Sequence, residues 1–171
     1  IYAGMMTDTG GFTYNSNNPE IYYIISQLLS KGIDKDQIYR NVFHTYSEGR
    51  LRLMGHVLTN MHVYPDFRAA LITLTKKEQS RFNFMRGDAE GFVNLPLQMK
   101  GIVFSVFLRE DTEKDMIKVS LRSTGNFPCN QVASEFFGGG GHLNASGGEV
   151  YGTMDEALER FKAALVKFQP L

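Results

Sequence analysis

GGGGHLNASGG, residues 138–148, sets four consecutive glycines directly before His142. Without Cβ atoms, the backbone of Gly138 to Gly141 can turn several N–H groups toward one anion while the His142 imidazole donates from the side. A ligand-free surface loop is the bland alternative. Four glycines cost roughly 0.5–1 kcal/mol each in regular structure, however, and close approach of backbone to a ligand is the obvious compensation. The segment therefore reads as a phosphate or nucleotide cradle, with Gly139, Gly140, Gly141 and His142 as its candidate contacts.

Upstream of this segment, Met116 to Ser123 alternates in the manner of a strand. Ile117, Val119 and Leu121 face a core, and Lys118, Ser120 and Arg122 share the other side. A guanidinium at Arg122 can fork onto a phosphate, and the Ser123 hydroxyl beside Gly125 can add a bond. A solvated arginine is the ordinary fate of a single Arg, so the glycine segment gives this reading its weight. Gly101 to Arg109 is a second strand-like run, joined to the first by the polar Glu110 to Asp115, which predicts an antiparallel hairpin. Arg109 then stands at the end of the hairpin remote from Arg122 and is left out of the site. Phe67 to Thr75 predicts a further strand, and Asp88 to Leu97 a short helix. The polar residues Asp88, Glu90 and Asn94 of that helix either line a cleft or form a solvated face. Thr153 with Glu156 makes a capping box, and Leu158, Phe161, Leu165 and Phe168 mark a closing amphipathic helix that ends near Pro170.

The first third of the chain is helical in pattern. Asn18-Pro19-Glu20 supplies a cap and a first-turn proline for a helix carrying Tyr22, Ile25, Leu28 and Leu29, closed by Gly32. Asp34 with Gln37 opens a second helix with Ile38, Val42 and Phe43 on one side. A third follows with Leu51, Met54, Leu58 and Met61 as its apolar stripe. The helical period stops near Val63-Tyr64-Pro65-Asp66, which predicts one domain over residues 1–64 and a second over 65–171. Asp8 lies in the turn TDTGGF, residues 7–12, just after the apolar Ile1 to Met6. A strand or helix end there can present a carboxylate to a metal or phosphate, although such an Asp is more often a turn or cap residue.

Composition limits the partners. The chain has 171 residues, 43% of them hydrophobic, with Lys plus Arg and Asp plus Glu both at 18. That is enough apolar side chain for a sizeable core, and a formal net charge of zero gives no field to steer duplex nucleic acid, so any such contact must be local. Cys129 is the only cysteine, which excludes an internal disulfide and CxxC motifs and fits a cytoplasmic location. No apolar run approaches a membrane span. His44, His56 and His62 lack the spacing of a zinc site. The apolar helix faces could serve a core or a homodimer seam equally well. Ile1 to Met6 looks like the middle of an element, which suggests a piece of something longer.

TDTGGF, VSLRS at residues 119–123 and GGGGHLNASGG together resemble the DHH phosphoesterase family, in which a metal-binding domain precedes a smaller DHH-associated domain. DAEGFVNLP, residues 88–96, is similar to the version in short bacterial enzymes that degrade oligoribonucleotides and remove the 3′-phosphate of pAp. The resemblance implies an α/β fold: the helical tail of the catalytic domain, then a smaller domain with a mixed sheet flanked by helices. It implies that Asp8 is a catalytic ligand of a divalent pair, most often manganese, with magnesium as an alternative. Arg122, Ser123, Asn130, His142 and Asn144 would hold the substrate, a short single-stranded RNA or nucleotide. Ser146 departs mildly from the alanine or glycine common at its place. The remaining metal ligands of the family lie upstream of these motifs, so the resemblance implies a chain that hydrolyses little or nothing by itself. A cyclic-dinucleotide phosphodiesterase or exopolyphosphatase of the same family, a non-catalytic nucleic-acid-binding module like the associated domain of alanyl-tRNA synthetases, and a nucleotide sensor are the alternatives.

Overall fold

Four polar side chains fix helix starts in the computed structural model, which describes residues 1–169. Asn18, Asp34, Thr75 and Thr153 accept the backbone N–H of Glu20, Gln37, Glu78 and Glu156, meeting donors that a helix leaves unpaired. With α1 (Tyr2–Asp8) preceding them, they begin α2 (Pro19–Ser30), α3 (Lys35–Phe43), α5 (Lys76–Arg81) and α7 (Met154–Lys167). The remaining α-helices of the described residues are α4 (Glu48–Asn60) and α6 (Cys129–Phe136). The starts at Asn18, Asp34 and Thr153 match the sequence signals; Thr75 and Glu78 form a further capping box. Pro170, expected near the end of the last helix, lies outside the described residues.

The chain divides into two units, Ile1–Ser47 and the residues from Glu48 onward. The first holds α1, α2 and α3, with the Tyr2 ring 5.8 Å from Phe12. In the second, α4 buries Leu53 and Val57 against Ile72 and Leu74, so this helix belongs with the sheet although its period reads as continuous with the helices before it. Its buried stripe is Leu53 and Val57, with Met54 and Met61 packed at the margin. Leu51 and Leu58, expected inside, are exposed. Apolar residues surround so much of α4 that choosing the leucines picked the wrong phase.

One six-stranded mixed sheet organises the second unit, in the order β1 (His62–Tyr64), β2 (Ala69–Leu74), β3 (Phe104–Glu110), β4 (Ile117–Ser123), β6 (Ala145–Val150), β5 (Gly140–His142). The β2–β3 pair is parallel and the other neighbours are antiparallel. A parallel pair needs a crossover, and residues 75–103 provide it with α5 and the 3-10 helix Phe92–Gln98. The short helix expected over Asp88 to Leu97 is the 3-10 helix Phe92–Gln98, preceded by turns. Gly91 is left-handed (φ 83°) and Pro96 sits inside, and proline removes a donor an α-helix would need. α6 and α7 cover one face of the sheet, where Phe104, Val106, Leu108, Ile117, Val119, Leu121 and Phe161 are buried together. On the other face, α4 and the 3-10 helix cover β2 and β3 through Phe92, Val93 and Phe107, while Lys118, Ser120 and Arg122 of β4 line an open groove.

The glycine segment is not a loop. From Gly140 onward it forms β5, a two-residue turn at Leu143-Asn144, and the first four residues of β6. A run of glycines carries no alternation of apolar and polar residues, so the strand signal is silent there.

Candidate functional site

Cross-strand register decides which side chains share the groove face, because residues directly opposite each other point the same way. Arg122 lies opposite Ala145, and Ala145 opposite His142. Arg122 and His142 therefore stand on one face, two strands apart, about 10 Å at ordinary strand spacing, with only a methyl group between them. The next row is Phe107, Ser120, Gly147 and Gly140, and the next Arg109, Lys118 and Glu149. Small side chains thus floor the groove beside a cation and an imidazole. The Arg122 guanidinium donates to its neighbour's carbonyl at Leu121 (2.8 Å) and more loosely to Ser146 O (3.5 Å), and no carboxylate pairs with it among the described residues. The His142 side chain is exposed. Its carbonyl, by contrast, is pinned by the buried Ser146 hydroxyl at 2.8 Å. The Ser146 departure therefore adds a staple that holds β5.

The glycines divide into two kinds. A Cβ on Gly139 would stand 1.9 Å from Gly147 O, and one on Gly141 2.6 Å from Ala145 O. Both are glycine because β5 and β6 approach too closely for a side chain. Gly138 (φ 59°) follows α6 in the left-handed conformation, and Gly139 N–H returns to Ala133 O, a helix ending that favours glycine. A Cβ on Gly140 would meet nothing within 4 Å. Chain packing accounts for most of the run, and Gly140 leaves space beside the cradle.

Four sequence candidates sit elsewhere. Ser123 follows Arg122 by one residue, so the strand period sends it to the opposite face, a signal already present in the sequence. It is buried, donates to Phe127 O (2.7 Å), and accepts from Asn144 Nδ2 (2.8 Å). Asn144 Nδ2 also reaches Gly125 O at 3.1 Å. The pair ties the β5–β6 turn to the turn after β4. Asn130 belongs to α6, on the helix-covered face, with its Oδ1 shielded and unmatched by any hydrogen bond. Asp8 is the exposed last residue of α1 in the first unit. The Thr9 hydroxyl caps that helix end by donating to Met5 O and accepting from Phe12 N–H. No group of three or more His, Cys, Asp or Glu stands together as a metal site among the described residues. Asp8 offers one carboxylate, which cannot by itself hold a divalent pair.

The groove over β3 and β4 has a volume of about 700 Å3 and runs from Arg122 to Arg109, with Phe84, Arg86, Glu90 and Glu149 among its walls. Arg109, excluded on sequence, does lie at the opposite end of the hairpin, opposite Lys118, yet it shares the groove. Lys118 is neutralised by Asp111 at 2.6 Å. The Asp111 carboxyl also accepts the N–H groups of Glu113 and Lys114, and these contacts hold it well below the usual carboxylate range, the Lys118 bond foremost. Arg50 was not anticipated. It donates to the carbonyls of Gly87, Asp88 and Glu90 and lies over the Phe92 ring, fixing one groove wall. Its apolar neighbours in α4 gave no hint of this. Asp88 is buried and caps the same wall through Met85 N–H (2.8 Å), whereas Glu90 faces the groove.

The DHHA1 domain family matches residues 67–168. The chain belongs to this family. It is 34% identical over 167 residues to the bifunctional oligoribonuclease and PAP phosphatase NrnA of Thermus thermophilus, covering 96% of this chain and 48% of that protein. The protein of the same name from Bacillus subtilis is 27% identical over 157 residues, covering 92% and 48%. A solved exopolyphosphatase-related protein from Bacteroides fragilis is 70% identical, with a TM-score of 0.93, covering 97% of this chain and 48% of that one. The chain spans about half the length of the relatives it matches. These relatives bear out the resemblance to DHH phosphoesterases with an associated domain, and the mixed sheet flanked by helices agrees with that fold.

Proposed function

We propose that this chain contains the substrate-gripping half of a metal-dependent phosphoesterase that hydrolyses short oligoribonucleotides and removes the 3′-phosphate of pAp. The observation that carries the proposal is the row His142, Ala145, Arg122, which sets a fixed guanidinium and an exposed imidazole on either side of a methyl-sized gap. A phosphate there receives charge-assisted bonds from Arg122 and a bond from the His142 ring. The Arg122 guanidinium is held before substrate arrives by the Leu121 carbonyl, and the Ser146 hydroxyl fixes the backbone that carries the exposed His142 ring. Together they orient the phosphate and offset its charge.

Asp8 is proposed as one carboxylate ligand of a divalent pair, with manganese or magnesium as the metal. The described residues alone do not form that site, so its other ligands come from outside them and this chain by itself hydrolyses little. When bound, such a pair supplies an activated water and further charge neutralisation at phosphorus. A cytoplasmic location and a homodimer belong to the same proposal.

The test is manganese-dependent release of mononucleotides from a two- to five-nucleotide RNA, and of phosphate from pAp, by the intact protein. His142→Ala and Arg122→Ala should lower turnover while sparing metal binding, and Asp8→Asn should weaken metal binding. Unchanged rates in His142→Ala and Arg122→Ala would remove the cradle from the mechanism. Turnover of cyclic dinucleotides or polyphosphate alone would replace the substrate while keeping the phosphoesterase.

A further inference from the structure

We infer that the Phe84–Arg109 end of the groove is a second nucleotide subsite, engaged by single-stranded oligoribonucleotides that extend beyond the phosphate held at Arg122 and His142. The inference rests on the cradle proposed above and concerns what lies further along the same groove.

Arg122 and Lys118, the partner of Arg109 across the hairpin, are four residues apart on β4. At ordinary strand rise that is about 13 Å, too far for one phosphate to bridge. The two cations of the far row differ from each other. Lys118 is neutralised by Asp111 at 2.6 Å, whereas among the described residues the Arg109 guanidinium donates only to the neutral amide of Gln79 at 3.3 Å. Burial pushes the Arg109 guanidinium below its ordinary value, and the nearby Asp111 opposes that shift. A half-buried cation without a hydrogen-bonded carboxylate is a place where an arriving anion gains more than it would at a solvated surface.

Arg109 also lies over the Phe84 ring, 5.3 Å from its centroid. Flat guanidinium and aromatic surfaces of this kind receive unstacked bases in single-strand sites. Between the two ends the floor is Ser120 beside Phe107, an uncharged stretch over which a sugar-phosphate chain can pass. The walls carry Glu90 and Glu149 as well as Arg86. A densely charged ligand such as polyphosphate would bring phosphates close to those carboxylates. An oligonucleotide places its charges at intervals and fills the space between with bases. The groove has that same alternation of cation, neutral floor and cation beside an aromatic.

The experiment is equilibrium binding to the intact protein in chelator, so that nothing is hydrolysed. A 5′-labelled pentaribonucleotide and pAp serve as ligands between 50 and 200 mM salt. Arg109→Ala should reduce the pentanucleotide-to-pAp affinity ratio about tenfold and make the salt dependence for the pentanucleotide shallower by about 0.7, the loss of one single-strand phosphate contact. Arg109→Lys should restore the salt slope and only part of the affinity, since it keeps the charge and loses the flat surface. Arg86→Glu, at an exposed position on the groove wall, should lower the same ratio. An unchanged ratio in Arg109→Ala and Arg86→Glu, both folded by circular dichroism, overturns the second subsite and leaves the cradle standing. So does an equal loss of both ligands in Arg109→Ala, because Arg109 would then support the cradle itself. If Arg122→Ala binds both ligands like the wild type, the cradle is what has failed.

Discussion

Arg122 is held by main-chain carbonyls and paired with no carboxylate among the described residues, so its charge is available to an anion at little cost. Replacing it by alanine in the intact protein should raise KM for pAp roughly tenfold to hundredfold, the scale of one to two charge-assisted bonds. Steady-state kinetics check this, and Arg122→Lys should recover only part because the planar fork is lost. The glycines give a sharper residue-scale test. Gly139→Ala drives a methyl into Gly147 O at 1.9 Å and should lower stability by about 1–3 kcal/mol, as overpacking does. Gly140→Ala meets no atom within 4 Å and should leave the melting temperature nearly unchanged while crowding the ligand. Equal melting temperatures for the two variants would contradict the division of glycines. The sequence exposes Arg122 through alternation and His142 through its place after the glycines. It exposes neither which glycine serves packing nor that Arg50, 37 to 40 residues away along the chain, holds the groove wall.

The β5–β6 hairpin depends on three anchors: Asn144 bonded to Ser123 and Gly125, Ser146 bonded to His142 O, and the α6 N–H of Cys129 bonded to Leu143 O. Asn144→Ala removes two hydrogen bonds and leaves the Ser123 hydroxyl with only its carbonyl partners. Chemical denaturation should show a loss of about 1–2 kcal/mol, accompanied by weaker pAp binding because His142 rides on the loosened strand. Thr153→Ala tests an element outside the site. It deletes the capping oxygen of α7 and should cost about 1 kcal/mol with pAp affinity unchanged. The Asn144 and Cys129 anchors were hidden because strand and turn signals are local, whereas each of these joins segments far apart in the chain.

The second unit carries two carboxyl groups held below their ordinary values. For Glu78, burial alone would raise the carboxyl, but the Thr75 N–H, His56 and the Thr75 hydroxyl together lower it. Asp111 is lowered by Lys118 and two turn N–H groups. A depressed folded-state value means the unfolded chain takes up protons first as pH falls. The stabilisation is whole above the unfolded values near pH 4 and is lost as pH drops further toward the folded ones. Urea midpoints measured from pH 6 to pH 3 should therefore fall below about pH 4, and Asp111→Asn should start lower at pH 6 and fall less. At the same scale, no helix of the described residues is long and apolar enough to cross a membrane. The sequence by itself determined the helix starts at Asn18, Asp34 and Thr153, the β3–β4 hairpin, the face of Arg122 and the family, because caps, alternation and motifs are properties of neighbouring residues. Tertiary structure alone decided that α4 joins the sheet, that the glycine segment is paired strand, that Ser123 and Asn144 brace the turn, and that Arg109 shares a groove with Arg122. Each of those depends on which distant segments pack together, and that choice is made by burial and register across the whole sheet.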